Sequence, residues 1–538
     1  MLHGDRYNHA CSIDTRSATS VGKVCWTISV FLILTKYHVE SKNVVFLPVA
    51  TTSHVRLHAI VAEELAKMGH NVWVGFSSNL LIRNESYQGV KAFSYNDFWD
   101  ITEESVSADL EATVSRAIIT GTDPDWSWLM GLPDTIAGLY YEGMVKGHFT
   151  KYIESLHPDL LVFDGYPNVE ERVAIAYKLK IPFAFVTTLY DPVTWKVPFN
   201  PVAVAYNSPY IRSKANLFEK VMAVLQIMAP MFLHIFNDRG YMKQLFPTDP
   251  NVPASNELMS QAEVYIIQSD PINDYPVPTM PNMKLIGGVS VSPSKPLREP
   301  FKSFVEKSEK AGVGVAVLSF GSLVMNLPEI AERKIISALR RLKINTIWRS
   351  NITSPDPDQI LTSTWLPVND LLGHENVKVF ISHVGANSLY EALYHAVPTV
   401  CVPLFYDQYI NAERAQDKGY CINLDIVKVT ADELFTAIET VVYSKEMRTK
   451  ISTASEIYRL LYSNSRQEGA FWLDHVLRYG GSYMRYSGQK LPMTLFVMDY
   501  ILVFFVGAGT TLSMLLIAYV SKLICHIIFR TQHHLKYD

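Results

Sequence analysis

Strand-like apolar runs alternate with helix-period segments in two separate stretches of this chain, and nothing else in the sequence limits its fold so narrowly. In the first stretch Val44–Val49 (VVFLPV) reads as a buried strand. Ser53 can cap a helix in which Leu57, Val61, Leu65 and Met68 recur at spacings of four, four and three. Gly69 ends it, and Val72–Phe76 is the next strand. The pattern returns at Asp159–Val186, where LLVFD and FAFV are strands around a helix from Val169 to Lys180. Apolar strands alternating with helices predict a parallel α/β sheet. Asp191–Ala262 is rich in aromatics and Pro with weak periodicity, and is expected to form helices and loops around a pocket. Gly287–Pro296 (GGVSVSPSKP) has linker composition. Beyond it come strands at Val313–Ser319, Thr346–Trp348, Val377–Ile381 and Thr399–Val402, with helices at Pro328–Leu342 and Ser388–His395. Two such halves of similar size place a ligand cleft between them.

The chain has 538 residues, 48% of them hydrophobic and 19% charged, with a formal net charge of −4. The apolar content excludes a disordered chain, and the near-neutral balance argues against a nucleic-acid partner. Tyr500–Val520 runs for 21 residues without a charge, long enough to span a bilayer. Lys522, Arg530 and Lys536 follow it, which favours a cytosolic tail. Val24–Thr35, at 12 residues, is too short to span and suits the apolar core of a signal peptide; a buried strand is the other reading. Together these predict a single-pass type I membrane protein with a luminal body. Cys401 and Cys421 are the only cysteines in that body, so no disulfide framework is expected, and whether they bridge is open. Asn84-Glu85-Ser86 and Asn351-Ile352-Thr353 are glycosylation sequons, meaningful if the body is luminal.

The chemistry concentrates in Trp365–Asn411. The strand VKVFIS leads into His383-Val384-Gly385-Ala386-Asn387-Ser388, where a helix begins. Gly385 permits a tight turn and close ligand approach. The unpaired N–H groups of the helix start suit a diphosphate. His383 can donate a hydrogen bond to phosphate oxygen. Glu391, one turn into the helix, could accept from a vicinal diol, although Ser388-Leu389-Tyr390-Glu391 also reads as a capping box. Asp407-Gln408 offers an acceptor and an amide side by side for sugar hydroxyls, although Asp407 could instead cap the next helix. Asp356-Pro357-Asp358 has the letters of a metal motif but lies in a Pro-rich loop and reads as a turn. No His/Cys cluster has metal-ligand spacing, so no metal is expected.

Trp365-Leu366-Pro367, Asn369-Asp370-Leu371-Leu372, His374, Phe380-Ile381-Ser382-His383, Gly385, Asn387-Ser388, Glu391-Ala392, Val397-Pro398, Pro403 and Asp407-Gln408 closely resemble the donor signature of the UDP-glycosyltransferases. The likeness is greatest to the membrane-bound animal, UDP-glucuronosyltransferase-like enzymes that conjugate small lipophilic molecules. Weaker similarity covers Phe320–Leu323, Trp348-Arg349 and Val476–Gly481. The resemblance implies a GT-B fold of two Rossmann-like parallel-sheet domains facing a cleft, plus the C-terminal transmembrane helix. It divides the chain into a targeting segment 1–36, an N-terminal acceptor-binding domain 37–286, a linker 287–300, a C-terminal UDP-sugar domain 301–490, a membrane anchor 491–521 and a cytosolic tail 522–538. It also implies that Trp365 stacks on uracil and that Glu391 holds the ribose. Ser322, His383, Asn387 and Ser388 would surround the diphosphate, with Gly385 in the same turn, and Asp407 and Gln408 would bind the sugar. Two positions depart from the family pattern: Val368 stands for a usual Gln, and Ala396 for a usual Gly, expected to be tolerated on a helix.

Transfer to a hydroxyl needs a base. His54, at the start of the first helix, is placed to be a neutral imidazole near physiological pH, and Thr52-Ser53-His54 aligns with the family's catalytic histidine. Asp164 resembles its partner carboxylate. His54 could also be a satisfied helix-start residue; His58 is a rival for it, as His157 and Asp159 are for Asp164. The expected reaction is a single inverting displacement that needs no cofactor beyond the co-substrate, UDP-glucuronate or UDP-glucose. The expected partners are that donor, a small lipophilic acceptor and membrane lipid, with homo-oligomerisation open. Endoplasmic reticulum residence follows from the resemblance. The competing reading is a relative that binds nucleotide sugar or a lipophile without turnover.

Overall fold

The computed structural model describes residues 40–49, 51–76, 87–98, 103–122, 147–165, 170–198, 240–405, 407–490 and 493–534, with isolated positions between 218 and 225. The signal-like segment, Asn84 and most of the aromatic middle stretch lie outside the described residues.

The amino-terminal lobe is built on seven parallel strands: β1 (Asn43–Leu47), β2 (Asn71–Phe76), β3 (Val90–Ser94), β4 (Leu160–Phe163), β5 (Phe183–Thr187), β6 (Tyr265–Ile267) and β7 (Met283–Leu285). Their order is β3-β2-β1-β4-β5-β6-β7. The carboxyl-terminal lobe has six: β8 (Val315–Ser319), β9 (Asn345–Arg349), β10 (Ile360–Ser363), β11 (Val377–Ser382), β12 (Thr399–Cys401) and β13 (Cys421–Asn423), ordered β10-β9-β8-β11-β12-β13. The central strands are apolar throughout because each face of the sheet is covered. In β1, Val44 and Phe46 enter one core cluster while Val45 and Leu47 enter another. In β8, Val315 and Val317 face one cluster and Ala316 and Leu318 the other. Alternate residues of a strand point to opposite faces, so a two-sided core requires an unbroken apolar run.

Helix α1 (Thr52–Lys67) packs Leu57, Val61 and Leu65 onto the Val44/Phe46 face. Thr51, not Ser53, is its N-cap, and no side chain caps it; Ser53 is an exposed first-turn residue. Gly69 follows the helix with φ +97, a left-handed value at which a Cβ would be strained. Asp356-Pro357-Asp358 forms a turn, as read, and Cys401 and Cys421 are buried and unbridged.

The lobes exchange helices. Helix α2 (Glu103–Thr120) leaves the first lobe and inserts Val114, Ala117 and Ile118 into the core of the second, beside Leu318 and Ile335. Its Glu111 carboxylate accepts from the Asn326 N–H at 2.9 Å. In the second lobe, α3 (Ala386–Tyr394) follows β11 and α4 (Gln408–Asp417) follows β12. In return α5 (Ser465–Tyr479) crosses back and buries Ala470, Leu473 and Val476 against Val55, Val61 and Leu65. Burying Leu473 and Val476 contributes about 1.5–3 kcal/mol each in transfer free energy. The segment after α5 stays on the first lobe. Ser260 Oγ donates to the Gln489 carbonyl at 3.0 Å, and Gln489 Nε2 donates to the Trp195 carbonyl at 2.9 Å. Residues 465–490, assigned to the second domain by the linear division, therefore pack on the first. Helix α6 (Met493–His534) follows; its Val497–His526 portion is long and apolar enough to cross a membrane.

Candidate active site

Each sheet reverses its strand order between two central neighbours, β1 and β4 in one lobe and β8 and β11 in the other. Loops leaving the carboxyl ends of such neighbours diverge and open a crevice. His54 sits in the first turn of α1, just past β1, and Asp164 directly follows β4. His54 Nδ1 lies 2.6 Å from Asp164 Oδ2. Burial pushes the Asp164 carboxyl up, but the charge of His54 and its hydrogen bond, helped by His58 and Arg172, hold it at about 2. Burial pushes His54 down; the charge of Asp164, their hydrogen bond and the charge of Asp407 outweigh this and leave its pKa above the ordinary value. The carboxylate is thus ionised at neutral pH. Nδ1–H donates to it, and Nε2 is the ring nitrogen that can take a further proton.

The rival residues take other roles. His58 is fully buried, 3.9 Å from Asp164 and edge-on to Phe46, and burial drives its pKa down to about 4, so it is a neutral core imidazole. Asp159 accepts from the Asn43 N–H at 2.8 Å, at the amino ends of the strands, away from the crevice.

In the second lobe α3 has Gly385 as N-cap and no capping side chain. Asn387 and Ser388 stand in its first turn, whose N–H groups have no intrahelical acceptor. The capping-box reading of Ser388 and Glu391 is therefore overturned, because the helix begins before Ser388. The reading of Gly385 also changes. Its φ is −57, and the left-handed residue of the turn is Val384, at φ 55. Gly385 matters for space: a Cβ there would come within 2.8 Å of His383 Nε2, and one on Gly321 within 2.3 Å. The imidazole is held between two glycines. Burial, then the charge of Arg349, lowers His383 to about 4 against a hydrogen bond to the Ser319 backbone, so the ring is neutral and its one N–H has a partner in the protein.

Glu391 is buried in α3, and its Oε1 lies 3.8 Å from Arg56 Nη1 on α1. Burial raises its pKa to about 7, with Arg56 opposing and Asp370 adding to the rise. Asp407 is the N-cap of α4 by position, but its side chain does not cap; Oδ2 accepts from Asn411 Nδ2 at 2.8 Å. Gln408 Oε1 accepts from the N–H groups of Leu404 and Phe405 at 2.8 and 3.1 Å, so its NH2 is the end that can serve a ligand. Trp365 is 44% exposed, with the Arg349 guanidinium 5.9 Å from its ring centre. Ser322 follows Gly321 on the turn after β8.

Several signature residues turn out to be scaffold. Asn369 Oδ1 accepts from the Ser292 N–H at 3.3 Å, and Asp370 Oδ1 accepts from the Lys295 N–H at 3.0 Å, so both pin the linker. Val368 packs against the core of the second lobe. Ala396 lies past the end of α3 with φ 56, so it is not on a helix and occupies a conformation that favours glycine. Arg56 and Gln268 were not anticipated, and Arg349 was named only within the weaker similarity. Gln268 Nε2, from the loop after β6, donates to Asn387 Oδ1 at 3.1 Å across the crevice. Nothing local marks Arg56 or Gln268, because their partners are remote in sequence; Arg349 ends a strand beside Trp348. Among the described residues no group of three or more His, Cys, Asp or Glu is placed to hold a metal.

Two parallel-sheet lobes with their strand ends facing across a crevice, and a histidine–carboxylate pair on one of them, define a GT-B glycosyltransferase fold. The kitacinnamycin glycotransferase superposes with a TM-score of 0.54 at 17% identity, covering 81% of this chain and 99% of that one. The chain belongs to the UDP-glucoronosyl and UDP-glucosyl transferase family, whose model matches residues 42–530. It is 32% identical to UDP-glucuronosyltransferase 1A1 of Mus musculus over 346 residues, spanning 63% of each chain. It is 30% identical to 2-hydroxyacylsphingosine 1-beta-galactosyltransferase of Homo sapiens over 382 residues, 68% of each.

Proposed function

We propose that this protein transfers a hexose or glucuronic acid from a UDP-sugar to a hydroxyl of a small lipophilic acceptor, in one inverting displacement. The observation that carries the reading is the His54–Asp164 pair at 2.6 Å, coupled by charge to Asp407 of the opposite lobe. His54 Nε2 takes the acceptor proton as the oxygen attacks the anomeric carbon, and Asp164 steadies the imidazolium that forms. The bond from the anomeric carbon to UDP breaks, and the diphosphate leaves with the electron pair. Its charge is met by the first-turn N–H groups of α3, with Ser322, His383, Asn387 and Ser388 around it. Preorganised donors of this kind lower a barrier by about 3 kcal/mol each. Trp365 stacks on uracil, Glu391 holds the ribose, and Asp407 with the Gln408 amide holds the sugar. No metal or bound cofactor enters this scheme. The names of the relatives support glucuronate and hexose donors alike. We further propose a type I protein of the endoplasmic reticulum, anchored by α6, with the body in the lumen.

The test is product formation by membranes given a panel of UDP-sugars and a simple phenol. Product is expected with at least one donor from the wild type, and strong loss in His54→Ala and Asp407→Ala. No product with any donor would favour the second reading, a non-catalytic binder of nucleotide sugar or lipophile. Val368 packed against the core and the Gln408 oxygen held by the backbone are consistent with that reading.

A further inference from the structure

Arg56 is two residues beyond His54, on the helix that carries the proposed base, yet its ion-pair partner is on the other lobe. Its Nη1 lies 3.8 Å from Glu391 Oε1. That separation is an ion pair but exceeds a direct hydrogen bond, so the guanidinium is only loosely held. The Arg56 side chain remains 34% exposed, while that of Glu391 is 7% exposed. Glu391 is five residues from the first residue of α3, about 7.5 Å along the axis from the end where the diphosphate is placed. An arginine side chain covers such a distance by changing rotamers. A planar guanidinium with five donors matches phosphate oxygens better than one carboxylate oxygen at this range.

We infer that Arg56 is a donor-exchange residue: it bridges the crevice by pairing with Glu391 and, when the donor enters, yields Glu391 to the ribose and turns to the diphosphate. The ligand chemistry is a nucleoside diphosphate, and the inference rests on the donor site proposed above. It gives the two halves of the ligand opposite dependences on one side chain. The nucleoside competes with Arg56 for Glu391, whereas the diphosphate gains a cation from it. Arg56 thereby favours binding of the complete donor over binding of its nucleoside alone.

The experiment is calorimetric titration of the full-length protein in nanodiscs with uridine, UMP and UDP, for wild type, Arg56→Ala and Arg56→Lys. Arg56→Ala is expected to weaken UDP about tenfold and to tighten uridine, with UMP between. Arg56→Lys should recover part of the UDP affinity. In turnover, the donor KM should rise in Arg56→Ala while the acceptor KM stays within about threefold. Parallel loss of uridine and UDP affinity, or no change in either, overturns the inference. A wild type that binds no UDP would instead remove the donor site itself.

Discussion

The amide of Gln268 reaches from the first lobe to the second and donates to Asn387 Oδ1 at 3.1 Å, while its own Oε1 accepts from the Val289 N–H at 3.1 Å. One buried side chain thus ties the start of the linker to the helix turn proposed to receive the diphosphate. Gln268→Ala leaves Asn387 without this donor. The expected outcome is a donor KM raised several-fold, for a neutral hydrogen bond of about 1 kcal/mol, with little change in acceptor KM. Steady-state kinetics with both substrates varied checks it.

The Asp164 carboxylate raises the His54 pKa above its ordinary value, so a His54 base would be protonated on the acid side and activity should rise with pH through that raised value. Asp164→Asn removes the opposing charge. The acid limb of kcat/KM should move to lower pH while the plateau falls by roughly 10²–10⁴. A pH profile of both forms decides this; a limb that stays in place would assign it to another group.

Glu391 makes a prediction of different sign. Its pKa is raised from 4.5 to about 7 in the folded protein, so the ionised form is disfavoured by burial. Its contribution to stability is complete below 4.5 and is lost as pH rises through about 7. If the ribose hydroxyls donate to its carboxylate, uridine affinity should rise by up to tenfold per pH unit below that value and level off above it. Glu391→Gln should bind weakly with a flat profile, measurable by the same titrations.

Two backbone positions can be tested without chemistry. Gly321 has φ +80 and faces His383, so Gly321→Ala is expected to lose about 1–3 kcal/mol and to disrupt UDP binding. Ala396→Gly should do the reverse, stabilising the second lobe by about 1 kcal/mol through relief of the left-handed alanine at φ 56. Urea midpoints of the two variants against wild type give both answers.

Asn351 is exposed on the second lobe, and its sequon becomes informative once the body is placed in the lumen. Expressed in cells, the protein should shorten on gels after endoglycosidase treatment. Asn351→Gln should abolish the part of that shift due to this site. A body facing the cytosol would show no shift at all.

The sheets were legible because buried strands such as β1 and β8 are apolar on both faces and stand out as runs. Short strands such as β6 and β13, at three residues each, offer too little pattern to register. The donor turn was legible as a strand followed by His, Gly and a helix start. Its details were not, because the choice between Val384 and Gly385 as the left-handed residue depends on where the His383 ring must fit. Glu391 and Asp407 could be named from position, but their environments come from Arg56 and Asn411. The helix exchange was hidden for the same reason: Leu473 and Val476 read as one amphipathic face whichever lobe covers it.

That exchange decides what the bilayer holds. Since Gln489 is fastened to Ser260 and Trp195 just before α6, a bilayer that held α6 would hold the lobe bearing His54 beside it. On that arrangement, an oily molecule leaving the leaflet would meet the half that carries the imidazole first.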